Sequence, residues 1–126
     1  MPFRQIDPLS SNVIGLAIKV HRALGPGLLE SAYEECFAYE LEQNGIPFGR
    51  QVPLPIVYEK VRLECGYRMD LVVDGQLLIE LKSVERILPI HEAQIITYMR
   101  LSGCRVGLLL NFNTEALRHG LKRFVL

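Results

Sequence analysis

Apolar positions near the start of the chain recur at helical spacing. In "SSNVIGLAIKVHRALG", Val13, Leu16, Ala17, Val20 and Leu24 fall on one stripe, with Ser10 to Asn12 as N-cap candidates. "GPG" at Gly25 to Gly27 breaks that helix. A second helix follows in "LLESAYEECFAYELEQNG", with a stripe of Leu29, Ala32/Tyr33, Cys36/Phe37 and Glu40/Leu41, and it stops at Asn44-Gly45. After Pro47 the pattern changes to β-branched and aromatic alternation, with a turn at Glu59-Lys60. Pro53 and Pro55 suit an edge strand. "QLLIELKSV" reads as a strand, "LPIHEAQIITYMRLSG" as a helix from near Pro89 to Ser102-Gly103, and "CRVGLLLNF" as a strand buried on both faces. "LKRFVL" closes the chain as a last strand. The order ααβ(β)ββαββ predicts one α/β domain over residues 1–126, a mixed sheet flanked by helices.

Within "GYRMDLVVDGQLLIELKSVE" the pattern raises a question of chemistry. A two-residue turn at Asp74-Gly75 puts Asp70 and Glu80 on opposite faces. An odd loop, such as three residues with Gly75 left-handed, puts all even-numbered residues on one face. The odd set, Leu71, Val73, Leu77, Ile79 and Leu81, is then wholly apolar. The even set, Asp70, Val72, Leu78, Glu80 and Lys82, is apolar near the tip and charged at the open end. Alternation favours the odd loop.

Composition narrows the classes without choosing among them. Apolar residues make up 49% and charged residues 22%, which is ordinary for a globular domain. Lys+Arg and Asp+Glu are 14 each, so no global field draws the chain to nucleic acid or membrane. The distribution is uneven: Met1 to Glu85 carries 8 basic and 12 acidic residues, Arg86 to Leu126 carries 6 and 2. Arg118, His119, Lys122 and Arg123 at that basic end are candidates for phosphate contact, and a solvated basic face accounts for them equally. Cys36, Cys65 and Cys104 show neither metal-ligand nor disulfide-framework spacing and suit a reducing cytoplasm. "MPFRQIDPLSSN" has no apolar signal core and no apolar run is long enough to span a bilayer, so a soluble cytoplasmic protein is expected.

Two carboxylates on one face repel and raise each other's pKa unless a cation lies between them. Mg²⁺ takes one or two carboxylates and keeps sites for water and phosphate oxygens. Lys82, two residues beyond Glu80, points the same way and is suited to orient water or offset phosphate charge. The plainer alternative is a solvated face on which Lys82 pairs with Asp70 or Glu80. The next helix carries His91, Gln94 and Tyr98 as a polar stripe, facing either the same cleft or solvent. His21, mid-helix, reads as a structural histidine.

Asp70, then Glu80-Leu81-Lys82, then Gln94-x-x-x-Tyr98, resembles the PD-(D/E)XK nuclease superfamily in the branch with a QxxxY motif. "GLLESAY" matches G-x-x-E-x-x-Y as Gly27, Glu30 and Tyr33. With "VHRALGPG", "HEAQIITYMRLSG" and "VGLLLNFN" the chain resembles the GxxExxY protein family from about Ser11 to Phe124. The resemblance implies a restriction-endonuclease-like core. It implies Asp70, Glu80 and Glu30 as ligands of Mg²⁺, with Mn²⁺ as a substitute, and the Leu81 carbonyl beside them. Lys82 maps to the catalytic lysine, with Gln94 and Tyr98 in support. Met69 stands where the superfamily pattern has a proline.

The expected function is therefore a Mg²⁺-dependent nuclease acting on DNA or RNA. The competing expectation is a non-catalytic nucleic-acid-binding or regulatory module that keeps the fold. A third is a homodimer formed through the proline-rich edge strand.

Overall fold

The computed structural model describes residues 6–126. Residues 1–5, part of the stretch read as lacking a signal core, lie outside the described residues. Helix α1 spans Pro8–Leu24. Its cap is Asp7, upstream of the expected Ser10 to Asn12: the carboxylate accepts from the Ser10 N–H at 2.9 Å and the Ser10 hydroxyl at 2.7 Å. Pro8 opens the first turn, where its missing N–H costs nothing. Helix α2 spans Glu30–Gln43 and buries Tyr33, Glu34, Phe37, Ala38 and Leu41. The expected stripe is thus rotated by one position, and Leu29, outside the helix as its N-cap, is 78% exposed.

Strand β1 (Phe48–Pro53) is followed by the short strands β2 (Ile56–Tyr58) and β3 (Val61–Leu63). Strands β4 (Arg68–Val73) and β5 (Leu77–Lys82), helix α3 (Pro89–Ser102), strand β6 (Val106–Asn111), a 3₁₀ turn at Leu117–His119 and strand β7 (Leu121–Val125) complete the chain. The main sheet runs β1-β4-β5-β6-β7. Only β5 and β6 are parallel, joined across α3; the other neighbours are antiparallel, so the sheet is mixed as expected. β2 and β3 form a separate two-stranded sheet. That excursion lies between the paired strands β1 and β4 along the chain, and periodicity alone did not separate it from the main sheet.

The β4–β5 loop combines both turn readings. Asp74 and Gly75 have positive φ (52° and 65°), and the Gln76 N–H closes on the Val73 carbonyl at 3.1 Å. Gln76 is then an extra residue, so Val73 pairs with Leu77 and Leu71 with Ile79. The wholly apolar odd face packs against α1 and α2, with Val13, Ala17, Tyr33, Phe37 and Leu41 in one core. Leu78 and Leu109 on the other face pack against Ile95, Tyr98 and Met99 of α3. His21 is buried and its Nε2 lies 3.1 Å and 2.8 Å from the Phe112 and Thr114 carbonyls, a structural role. No helix among the described residues is long and apolar enough to cross a membrane.

Glycine is needed where β6 and β7 approach. A Cβ on Gly120 would meet the Asn111 carbonyl oxygen, and backbone cannot yield as a side chain can. Gly120→Ala should destabilise the fold by about 1–3 kcal/mol in urea unfolding. Gly15→Ala, mid-helix with open space around it, should stabilise by about 0.5–1 kcal/mol. A neutral Gly120→Ala would contradict this packing.

Candidate active site

The β4–β5 ladder stops at Leu71↔Ile79, although Asp70 and Glu80 come next in register. There the two strands part. The Asp70 N–H donates to Glu80 Oε2 at 2.8 Å, and the Leu81 N–H donates to Asp70 Oδ2 at 2.8 Å. Each carboxylate thus satisfies a backbone donor on the opposite strand that ladder pairing would otherwise use. Each is held through one oxygen. Among the described residues Glu80 Oε1 has no donor, and Asp70 Oδ1 has only the Gln51 amide at 3.4 Å.

The parting has a backbone cause. Gln51, which faces Asp70 in the β1–β4 register, has φ of 49°. Phe48 and Val73, beyond it on one side, pack with α1 and α2; Val52 and Met69, on the other, pack with α3. Strict alternation would put Phe48 and Val52 on one face. Both strands therefore exchange faces at Gln51 and Asp70. This turns Asp70 into the gap beside β5.

Burial and charge act on these acids together. Burial first, and then the Asp70 carboxylate, push Glu80 up to about 8; the Asp70 N–H and Lys82 offset this only in part. Asp70 is also raised, by burial and then by Glu34, against the Leu81 N–H. Without a cation Glu80 thus holds a proton near neutral pH. Lys82 is half-buried at the end of β5, close enough to favour both carboxylates, and its Nζ makes no hydrogen bond or ion pair among the described residues. Tyr98 is buried and its hydroxyl accepts from Gln94 Nε2 at 3.2 Å. Burial raises the Tyr98 pKa, the Gln94 bond lowers it, and the charges of Glu80 and Asp70 raise it further, so the Tyr98 hydroxyl lies within reach of the carboxylates' field. A groove of about 410 Å³, lined in part by Tyr67, Ile90, Gln94 and Tyr98, opens next to it.

Glu30 is brought near but not into the cluster. Its Oε2 accepts from the Ser83 N–H at 3.3 Å, and its charge reaches Glu80 only as a minor influence. Among the described residues no group of three or more His, Cys, Asp or Glu side chains is arranged to hold a metal. Tyr33 explains the loop before Glu30. Its hydroxyl donates to the Gly25 carbonyl at 2.6 Å and accepts from the Leu28 N–H at 3.1 Å, while its ring stacks on Phe112. Ser83 Oγ donates to the Leu28 carbonyl at 2.6 Å, tying this loop to the end of β5.

The basic residues at the C-terminal end do not gather there. Lys122 pairs with Glu92 at 2.6 Å on the α3 face, and Arg123 pairs with Asp7 at 3.1 Å on the α1 face. They alternate along β7, so no single patch contains both. Arg118 is exposed, with its Nε 3.3 Å from His119 Nε2.

Sequence reasoning missed Glu34. It is buried, accepts from Arg50 at 2.9 Å and 3.2 Å and from Gln51 Nε2 at 2.7 Å, and so links α2 to the residue opposite Asp70. Its signal was a charge one turn after Glu30 and adjacent to buried Tyr33. Asn111 was also missed. Buried beside Lys82 in the register, it bonds both the N–H and the carbonyl of Val84 and so holds the chain just past the E-x-K segment.

A family profile for the PD-(D/E)XK nuclease superfamily matches residues 7–124. The chain belongs to the PD-(D/E)XK nuclease superfamily. Searches among curated proteins and among solved structures found no match. Members of this superfamily are typically metal-dependent, and the α/β fold with its mixed five-stranded sheet and three helices agrees with it. The donor set fits a hard divalent cation: two carboxylates from adjacent strands, each with one oxygen anchored and one available.

The raised Glu80 pKa carries a sign. A group held above its ordinary value of 4.5 lets the fold bind a proton that the unfolded chain has released. Its contribution is full below that value and is lost as pH rises toward about 8. Without divalent cations, stability should fall over that window by roughly a few kcal/mol. Glu80→Gln should flatten the fall and be the more stable protein at the alkaline end. Urea unfolding across the pH range checks both; parallel profiles for the two proteins would contradict the assignment.

Proposed function

We propose that this chain is a Mg²⁺-dependent nuclease that hydrolyses phosphodiester bonds of DNA or RNA, within the GxxExxY branch of its superfamily. The observation that carries the reading is the carboxylate pair at the end of the β4–β5 ladder, with a lysine on the same edge that is unpaired among the described residues. Asp70 and Glu80 would hold Mg²⁺ or Mn²⁺. Such an ion supplies Lewis-acid polarisation of a phosphate oxygen and lowers the pKa of a bound water.

The remaining roles belong to the chain's own groups. The Lys82 ammonium offsets charge on the phosphate and orients the attacking water. The backbone donors on Asp70 and Leu81 hold the carboxylates in place, so little side-chain freedom is lost on binding. Gln94 fixes the Tyr98 hydroxyl beside the pair. Glu30 ties α2 to the segment after Lys82 and, in this reading, would add its negative charge to the side of the site that holds the ion. Of the basic residues at the C-terminal end, Arg118 has no carboxylate partner among the described residues and is assigned to phosphate contact. Lys122 and Arg123 join it only by giving up their pairs with Glu92 and Asp7.

One observation favours a second reading, a non-catalytic nucleic-acid-binding or regulatory module. Among the described residues no third His, Cys, Asp or Glu side chain is placed to complete a metal site with Asp70 and Glu80, so the acidic cluster stops at two. The two readings separate on mutation. Asp70→Asn should abolish Mn²⁺ binding by calorimetry, because one carboxylate does not offset the ion's dehydration in a largely buried site. Lys82→Ala should keep Mn²⁺ affinity or tighten it, yet lose cleavage by about 10²-fold or more. Both should fold, since neither side chain belongs to the apolar face. If the unmodified protein binds no Mn²⁺ at millimolar concentration in the presence of nucleic acid, the binding-module reading replaces the enzyme.

A further inference from the structure

We propose that the outer edge of β3 pairs with the same edge of a second copy of this chain, joining two β2–β3 hairpins into one four-stranded sheet.

A free two-stranded hairpin is only marginally stable. This one has three-residue strands and stands apart from the main sheet. Its side chains are poorly covered: Val57, Tyr58, Val61 and Leu63 are 59%, 69%, 52% and 41% exposed. Such an edge needs either protection or a partner.

Backbone geometry selects the strand. Tyr58 pairs with Val61 across the two-residue turn, and Ile56 with Leu63. The closing pair of such a hairpin is hydrogen-bonded, so the Val61 and Leu63 groups point at β2. The N–H and C=O groups of Arg62 and Glu64 therefore point outward. The outer edge of β2 offers only Val57, between Pro55, which has no N–H, and left-handed Glu59. In the main sheet, the outer edge of β1 is broken by Pro53 and left-handed Gln51. On β7, the other end strand of the main sheet, Lys122 and Arg123 are already engaged by Glu92 and Asp7 of the same chain.

Charge then selects the occupant. Antiparallel pairing of β3 with itself about Leu63 sets Arg62 opposite Glu64 of the second copy, and Glu64 opposite Arg62. These are the residues whose backbone groups face outward, so each pair exchanges two hydrogen bonds. Opposite charges face each other at both. Centring on Arg62 or on Glu64 instead sets like charge on like. Within one chain Arg62 and Glu64 already pair at 2.9 Å with both side chains 65% exposed, an interaction worth little and readily exchanged. Leu63 meets Leu63, and Val61 meets Cys65. The edge is thus complementary to itself, as a two-fold interface requires.

Sedimentation over a micromolar concentration series should show a reversible monomer–dimer equilibrium. Arg62→Glu alone and Glu64→Arg alone should each weaken it at least about tenfold, since each sets like charges face to face. Circular dichroism should show both variants folded, as the positions are exposed. Mixing the two variants should restore dimers, because the wholly acidic edge of the first then meets the wholly basic edge of the second. Val61→Cys should give a disulfide-linked dimer with the native Cys65 of the second copy, four residues being too far apart along one strand to bridge. A protein that stays monomeric throughout, a dimer indifferent to both charge variants, or a mixture that stays dissociated would each overturn the proposal.

Discussion

Two backbone N–H groups decide what this domain can do. Where β4 and β5 part, the donors of Asp70 and Leu81 lose their place in the ladder, and carboxylates on the opposing strands take them up. A buried unpaired N–H would cost about 1–3 kcal/mol, so the exchange lets the sheet open without an orphaned donor. The same two bonds fix one oxygen of each acid and turn the pair toward the gap. Fold stability and candidate chemistry meet in these contacts.

The rest of the architecture serves that opening. The odd face of the β4–β5 hairpin is pressed onto α1 and α2, which sets the depth of the strands, while α3 covers the other face and brings Tyr98 beside Glu80. The left-handed Gln51 sits where the strands change faces, and Glu34 holds its amide from below. Burial that protects the core also raises the acids, so the site carries stored electrostatic cost until a proton or a cation offsets it. The loop before α2, clamped by Tyr33 and Ser83, completes the rim on the Glu30 side.

Much of this was legible in the sequence because alternation is a strong constraint. A two-residue period placed Leu71, Ile79 and Leu81 together and so required an odd loop, which the extra Gln76 provides. Helix α3 was bounded by Pro89 and by Gly103, whose left-handed cap most other residues would resist. What escaped had non-local or irregular causes. The cap at Asp7 lay one turn upstream of the nearest serine cluster, and the rotated stripe of α2 depends on where Leu29 leaves the helix. The face exchange at Gln51 has no periodic signature, since no glycine marks it. The basic residues of β7 read as a patch in one dimension and separate onto two faces in three.

The central claim is that Asp70 and Glu80 offer one free oxygen each to a divalent cation while their other oxygens stay on the backbone. Anomalous diffraction from crystals grown with Mn²⁺ tests this most directly. The account predicts a Mn²⁺ peak between Asp70 Oδ1 and Glu80 Oε1, with the Leu81 N–H still on Oδ2 and the Asp70 N–H still on Oε2. A cleft without Mn²⁺ at saturating concentration, or an ion held by other residues while this pair keeps its proton, would contradict it.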